Sequence, residues 1–176
     1  MKKKYFLLIS TNDTYKNISV LIDLFSKKNW TLYWIAKENF SSKRHVSESK
    51  IAHIKNIKIF KNINNNKLKR LIKNSQAILS PSLFEGFGRN NIEAQYYKKF
   101  IICSNIPIFR EILGDSCEYV DPNNIEDIRK KMEKILTSQN EQKRLIKLGF
   151  DRVKIYSWEK CVSSTSKIYK SLISEK

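Results

Sequence analysis

The sequence predicts an α/β protein built on a single doubly wound parallel sheet of about six strands. Three observations carry that expectation. Short apolar runs alternate along the chain with stretches of helical periodicity. The stretch from Ala77 to Glu93, AILSPSLFEGFGRNNIE, reads as strand, glycine-bearing loop and helix. No internal repeat or linker divides the 176 residues, a length that suits one domain.

Tyr5 to Ser10, YFLLIS, is apolar and reads as the first strand. Thr11 to Lys16 is a polar loop, and Asn17 is a good N-cap residue for the first helix. Ile18, Leu21, Ile22 and Phe25 recur at helical spacing, so that helix is expected from Asn17 to about Lys28. Thr31 to Ala36 is a second strand. Ser42 to Ile54 is a weaker helix with a poor apolar face. Ile57 to Phe60 is a third strand, and Asn62 to Asn66 a turn whose last Asn caps a short helix through Asn74. Ala77 to Leu79 forms the fourth strand, ended by Ser80-Pro81-Ser82 because Pro has no N–H for a ladder. A helix runs from Arg89 to about Lys98. Phe100 to Cys103 is the next strand, and Pro107 suits the first turn of a helix ending near Gly114. Glu118 to Val120 is the last strand. Helices at Ile125 to Thr137, Asn140 to Lys154 and Ser157 to Ile173 complete the chain.

In such a sheet ligands bind beyond the carboxyl ends of the strands. The loops Ser10 to Lys16, Lys61 to Asn66 and Ser80 to Arg89 are therefore expected to meet. The third is the most informative. Its glycines, Gly86 and Gly88, let a ligand approach the backbone, and the free N–H groups of the adjoining helix turn face an anion. The local pattern alone also fits an ordinary βα turn with a solvated carboxylate on each side. A dinucleotide fingerprint is absent, since STNDTYKN comes after the first strand, and so is a Walker A loop.

The same stretch resembles the E-x7-E signature of glycosyltransferase family 4, the group 1 enzymes. Glu85 and Glu93 are the two acids, with Gly86-Phe87-Gly88 after the first and Ala94 after the second. Ser80-Pro81-Ser82, Ser104-Asn105 to Glu111-Ile112, Gly114-Asp115, Tyr119-Val120-Asp121-Pro122 and Tyr156-Ser157-Trp158-Glu159 resemble further words of that family, in its order and spacing. The resemblance implies a Rossmann-like domain forming one half of a GT-B fold, the C-terminal, donor-binding half, over residues 1–176. It implies metal-independent transfer, with retention, from a UDP- or GDP-linked sugar to a glycan or lipid-linked acceptor in surface polysaccharide synthesis. No cofactor is expected, the nucleotide sugar being substrate.

Residue by residue, the resemblance gives Glu93 the ribose hydroxyls and Glu85 the hydroxyls of the donor sugar. Two carboxylate oxygens suit a vicinal diol. Backbone N–H groups around Phe87, Gly88, Arg89 and Asn90 would take the diphosphate, with Gly86 and Thr11 in the same donor site. Lys16 would neutralise the leaving phosphate; without the family it is a plain surface lysine. Glu85 and Lys16 are thus the catalytic candidates. The family assigns the two carboxylates to binding and orientation, not to a glycosidase acid/base pair.

Two departures matter. Ser10-Thr11 stands where Gly-Arg is common, so a positive charge is missing, and Arg89 is placed to restore it. Trp34-Ile35-Ala36-Lys37-Glu38 replaces a V-G-x-G word. The resemblance leaves the acceptor site to another domain or a partner chain, on which the terminal helix 157–173 would dock. The isolated chain is therefore expected to be inactive. The alternative is a non-catalytic nucleotide-sugar-binding or assembly module.

Composition narrows the partners. The net charge is +17. Lys, Asn and Ile dominate, as an AT-rich genome alone would produce, and the lysines are spread over nearly every helix. Neither an RNP1 platform nor a helix-turn-helix with a basic reading helix is present, so nucleic acid is not expected. Loose attraction to an acidic membrane surface is the more plausible of the two. No run approaches the ~18–20 apolar residues of a span, and the start lacks a signal-peptide pattern. The expected location is cytoplasmic, with peripheral contact at the inner membrane face. Cys103, Cys117 and Cys161 are odd in number and widely spaced, which argues against a disulfide framework and a zinc knuckle. No D-x-D metal word occurs, and His45 and His53 read as solvent-facing.

Overall fold

The computed structural model describes residues 4–36 and 46–174. Six parallel strands form one sheet in the order β3-β2-β1-β4-β5-β6. They are β1 (Phe6–Ser10), β2 (Leu32–Ala36), β3 (Ile57–Lys61), β4 (Ala77–Ser80), β5 (Phe100–Ser104) and β6 (Glu118–Val120). The strand order reverses between β1 and β4, which makes their carboxyl ends the ligand-binding position of this topology.

Alternation along each strand supplies two cores. Phe6, Leu8, Trp34, Leu79, Phe100 and Ile102 face one side, against α1 (Ile18–Ser26), α2 (Glu48–Ala52) and α6 (Ile125–Thr137). Leu7, Ile9, Ile78, Ile101 and Cys103 face the other, against α3 (Asn65–Asn74), α4 (Arg89–Tyr96) and α5 (Pro107–Leu113). Both faces are covered, so the strands read as continuous apolar runs. Phe25 of α1 is fully buried and lies edge-on to Phe6 at 5.8 Å. Truncating it to Ala would cost ~3–5 kcal/mol. Helices α7 (Gln139–Arg152) and α8 (Trp158–Ser174) close the chain, and α7 packs on α4 where Gly149 meets Gln95.

Most element boundaries fall within two residues of the sequence expectation. The helix caps differ. Asn17 does not cap α1: it is left-handed, with φ of 52°, and its amide donates to the Pro122 carbonyl at 2.7 Å. Asn64, not Asn66, caps α3, its side chain accepting from the Lys67 N–H. The helix expected from Ser42 is seen as Glu48–Ala52; Ser42 to His45 lie outside the described residues, as do Lys37 and Glu38. His53 is exposed. Cys103 and Cys117 are buried small core residues with their sulfurs 3.4 Å apart, and burial raises the Cys103 thiol well above its ordinary value. No helix among the described residues is long and apolar enough to cross a membrane.

Candidate functional site

A cavity of about 1060 Å³ opens at the carboxyl ends of β1 and β4. Its inner end is built by two loops. After β1 the chain makes a 3-10 turn, Thr14–Lys16, that ends at the left-handed Asn17 and turns the Lys16 side chain inward. After β4 it runs through Ser80-Pro81-Ser82 to Glu85. The Leu83 N–H donates to the Tyr15 carbonyl at 2.7 Å, joining the loops through their backbones.

Their side chains meet as well. Lys16 Nζ lies 2.6 Å from Glu85 Oε1, with the two side chains only 14% and 17% exposed. The Ser82 hydroxyl donates to the same carboxylate oxygen at 3.0 Å. Glu85 is thus fixed by one cation and one hydroxyl. At this degree of burial each partner would be costly to leave alone.

Helix α4 supplies the floor. Gly88 precedes it with φ of 82°, and a Cβ there would stand 2.7 Å from the Phe109 ring, so both backbone and space demand glycine. The Asn90 amide donates to the Ile9 carbonyl at 2.8 Å, and buried Asn91 accepts from the Ser80 hydroxyl at 2.7 Å. These bonds fasten the first turn of α4 to the switch point between β1 and β4. Glu93, one turn further, lines the same cavity. The outer wall comes from Tyr156 and the start of α8, including Trp158, Lys160 and Cys161. Phe87 leans edge-on against Tyr156 at 5.6 Å, and Tyr156 is tied by its hydroxyl to the Ile112 carbonyl.

The structure therefore gathers Lys16, Glu85, Phe87, Gly88, Arg89, Asn90 and Glu93 around one cavity. Two of the candidate residues lie outside this lining, and one expected loop is corrected. Thr11 does not line it; its hydroxyl turns to Asp13 at 2.5 Å. Gly86 does not line it either, and nothing lies within 4 Å of where its Cβ would stand, so this glycine answers no crowding. The loop Lys61 to Asn66 stays away because β3 is the outermost strand, two strands from the switch point. Sequence reasoning overlooked Ser82, Asn91 and Lys160. Only their positions beside Glu85, Ser80 and Trp158 pointed to them. Lys160 adds a cation to the lining that also holds Lys16 and Arg89. Among the described residues no group of three or more His, Cys, Asp or Glu could hold a metal ion.

A cation at a carboxylate, a second carboxylate on α4 and a helix N-terminus at the same cavity suit a ligand with a hydroxyl-rich part and an anionic part. Known proteins resemble this chain. It is 30% identical over 98 residues to O-antigen chain mannosyltransferase B of Escherichia coli, which covers 56% of this chain and 26% of that protein. It is 27% identical over 128 residues to O-antigen chain mannosyltransferase RfbU of Salmonella typhimurium, covering 70% of this chain and 36% of that one. Sucrose-phosphate synthase of Thermosynechococcus elongatus superposes with a TM-score of 0.83 at 17% identity, over 98% of this chain and 46% of that one, a likeness of fold. The chain spans less than half the length of each of these proteins. The family model for glycosyl transferases group 1 matches residues 1–152, and with a Rossmann-like sheet of GT-B type the chain belongs to that family.

Proposed function

We propose that this chain is the donor-binding half of a retaining, metal-independent glycosyltransferase. It takes a UDP- or GDP-linked sugar, and another domain or chain supplies the acceptor site. Relatives named as O-antigen mannosyltransferases favour a mannosyl group and a surface-polysaccharide acceptor, a glycan or lipid-linked oligosaccharide. The chain works in the cytoplasm, in peripheral contact with an acidic membrane surface.

One observation carries the reading: Lys16 and Glu85 touch, at 2.6 Å, in a cavity that Glu93 and the first turn of α4 also line. In a nucleotide sugar the hexose adjoins the outer phosphate. Adjacent parts of the donor thus find adjacent partners, Glu85 for sugar hydroxyls and Lys16 for the phosphate. Amides of Gly88 to Asn90 take the rest of the diphosphate, and Glu93 accepts from the ribose hydroxyls. During transfer the bond from the anomeric carbon to the phosphate oxygen breaks, and its electron pair leaves with the nucleoside diphosphate. The acceptor oxygen takes its place, and the hydroxyl proton passes to the departing phosphate. Lys16 and the α4 amides stabilise the growing negative charge in a partly enclosed site, where such contacts are worth roughly 10²–10³ in rate.

Calorimetric titration with UDP, GDP and ADP tests this. One nucleotide should bind saturably, and Glu93→Ala should weaken it about ten-fold or more. Failure of all three nucleotides and of their sugar conjugates would overturn the reading. The chain alone should not transfer sugar, since the acceptor site lies elsewhere. The other reading, a non-catalytic nucleotide-sugar-binding or assembly module, is favoured by Thr11, which brings no charge to the cavity. Turnover after adding an acceptor-binding partner would exclude it.

A further inference from the structure

The net charge of +17 is unevenly arranged on the folded chain. On α6 and α7 the cations are interspersed with acids, and some of them pair: Arg129 with Glu126 and Glu133, Arg144 with Glu141, and Lys154, just past α7, with Asp151. Helix α3 is different. Its apolar Leu68, Leu71 and Ile72 turn toward the sheet, and the arc facing away holds Lys67, Lys69, Arg70 and Lys73, all exposed, with asparagines between them. No acid offsets these four. Between Glu48 and Glu85 the chain has no Asp or Glu. Lys58 of β3 lies on the same side of the sheet and is exposed. None of the five forms an ion pair among the described residues.

Two of the ammonium groups lie over aromatic rings. Lys67 Nζ lies 5.2 Å from the centre of Phe60 and Lys73 Nζ 5.5 Å from that of Tyr97. The flank is thus an exposed surface of positive charge. No α3 residue lines the cavity at the strand ends, and α3 runs antiparallel to the strands along the side of the sheet. A partner on this flank would leave the cavity uncovered.

We infer that the α3 flank is the surface by which this protein adheres to an anionic lipid bilayer. The inference deepens the membrane contact proposed above by assigning its face. The cations are spread over an outward-facing helix surface and converge on no pocket, so they suit many headgroups laid out in a plane better than one bound phosphate. A helix whose apolar face is taken up by the sheet can meet a bilayer only through charge, and a cluster of exposed Lys and Arg is what anionic headgroups attract.

The test is co-sedimentation of the full chain with vesicles of equal parts phosphatidylglycerol and phosphatidylcholine, against phosphatidylcholine alone. Binding should require phosphatidylglycerol and fade at high salt. Each cation at such a surface is worth roughly five-fold, so the combined Lys67→Glu, Lys69→Glu, Arg70→Glu and Lys73→Glu variant should lose about 100-fold or more. A control with the same change of net charge, Lys130→Glu, Lys134→Glu, Lys143→Glu and Lys147→Glu on α6 and α7, should lose less than about ten-fold. Thermal melts check folding of both, and the four α3 substitutions to Gln provide a milder series of the same sign. Equal losses in the two sets would overturn the assignment of the face. Absence of vesicle binding by the unaltered chain would overturn the membrane contact, and nucleotide titration of the same sample would show separately whether the donor site stands. Tighter binding of an RNA duplex than of vesicles, through the same α3 residues, would make the flank a nucleic-acid site and sink the inference.

Discussion

The two ends of the cavity are built in opposite ways. At the inner end Ser82 and Asn91 are buried, Lys16 and Glu85 nearly so, and every polar group named has a partner inside the chain. At the outer end α8 carries Trp158, Val162, Ile168, Tyr169 and Leu172 in the open, with Trp158 75% exposed. Its first turn is held by the Ser157 hydroxyl, which accepts from the Lys160 N–H, and beyond that the helix rests on its own hydrogen bonds. A lone helix of this length is marginal in water. The geometry of the inner end is therefore fixed by packing within this chain. That of the outer end depends on whatever covers α8, which in our proposal is the acceptor domain.

Gly88→Val attacks the inner end directly and should have the largest effect. It combines a left-handed β-branched residue with a Cβ 2.7 Å from Phe109. Urea unfolding should show a loss of about 3 kcal/mol, with nucleotide binding abolished. Gly86→Ala, two residues away, should stay within ~0.5 kcal/mol of the parent. Equal costs at the two positions would mean that the loop is not anchored where the structure has it.

Glu85→Gln sharpens the contrast by function. Removing its charge releases Lys16 from a 2.6 Å ion pair. Free nucleoside diphosphate should then bind a few-fold more tightly, while the nucleotide sugar, deprived of its carboxylate, weakens about ten-fold. Parallel losses for both ligands would show that Lys16 does not serve the phosphate. The smallest effect belongs to the outer end. Trp158→Ser and Ile168→Ser in the isolated chain should each change stability by less than ~0.5 kcal/mol, because both side chains are already in water. A loss above ~2 kcal/mol in either melt would place α8 against the body of this chain in solution.

Much of this was legible in the residues. Apolar runs at strand length marked all six strands, because a sheet covered on both faces needs them apolar throughout. Glu85, Glu93 and Lys16 were found through their spacing and neighbouring words. Misreadings cluster where a residue's role depends on a partner distant in sequence. Asn17 has the composition of a cap, but its amide serves Pro122, 105 residues on. Gly86 and Gly88 look alike in the sequence, and only the left-handed backbone at Gly88 and the position of Phe109 separate them. The loop after β3 carries binding-type residues, yet strand order sets it at the edge. Nothing local marks Ser82 as the hydroxyl that steadies Glu85. The +17 charge was plain, but only the fold shows that α3 carries its four cations on one outward arc with no acid among them.

The bond from the Leu83 N–H to the Tyr15 carbonyl has a kinetic consequence. It splices the two loops at the inner end, so their ordering is completed when the chain folds. Donor capture there should be a side-chain event, Lys16 moving from carboxylate to phosphate without loop closure, whereas domain closures elsewhere take microseconds to milliseconds. Slow steps in binding would then report motion of α8 and of whatever it touches.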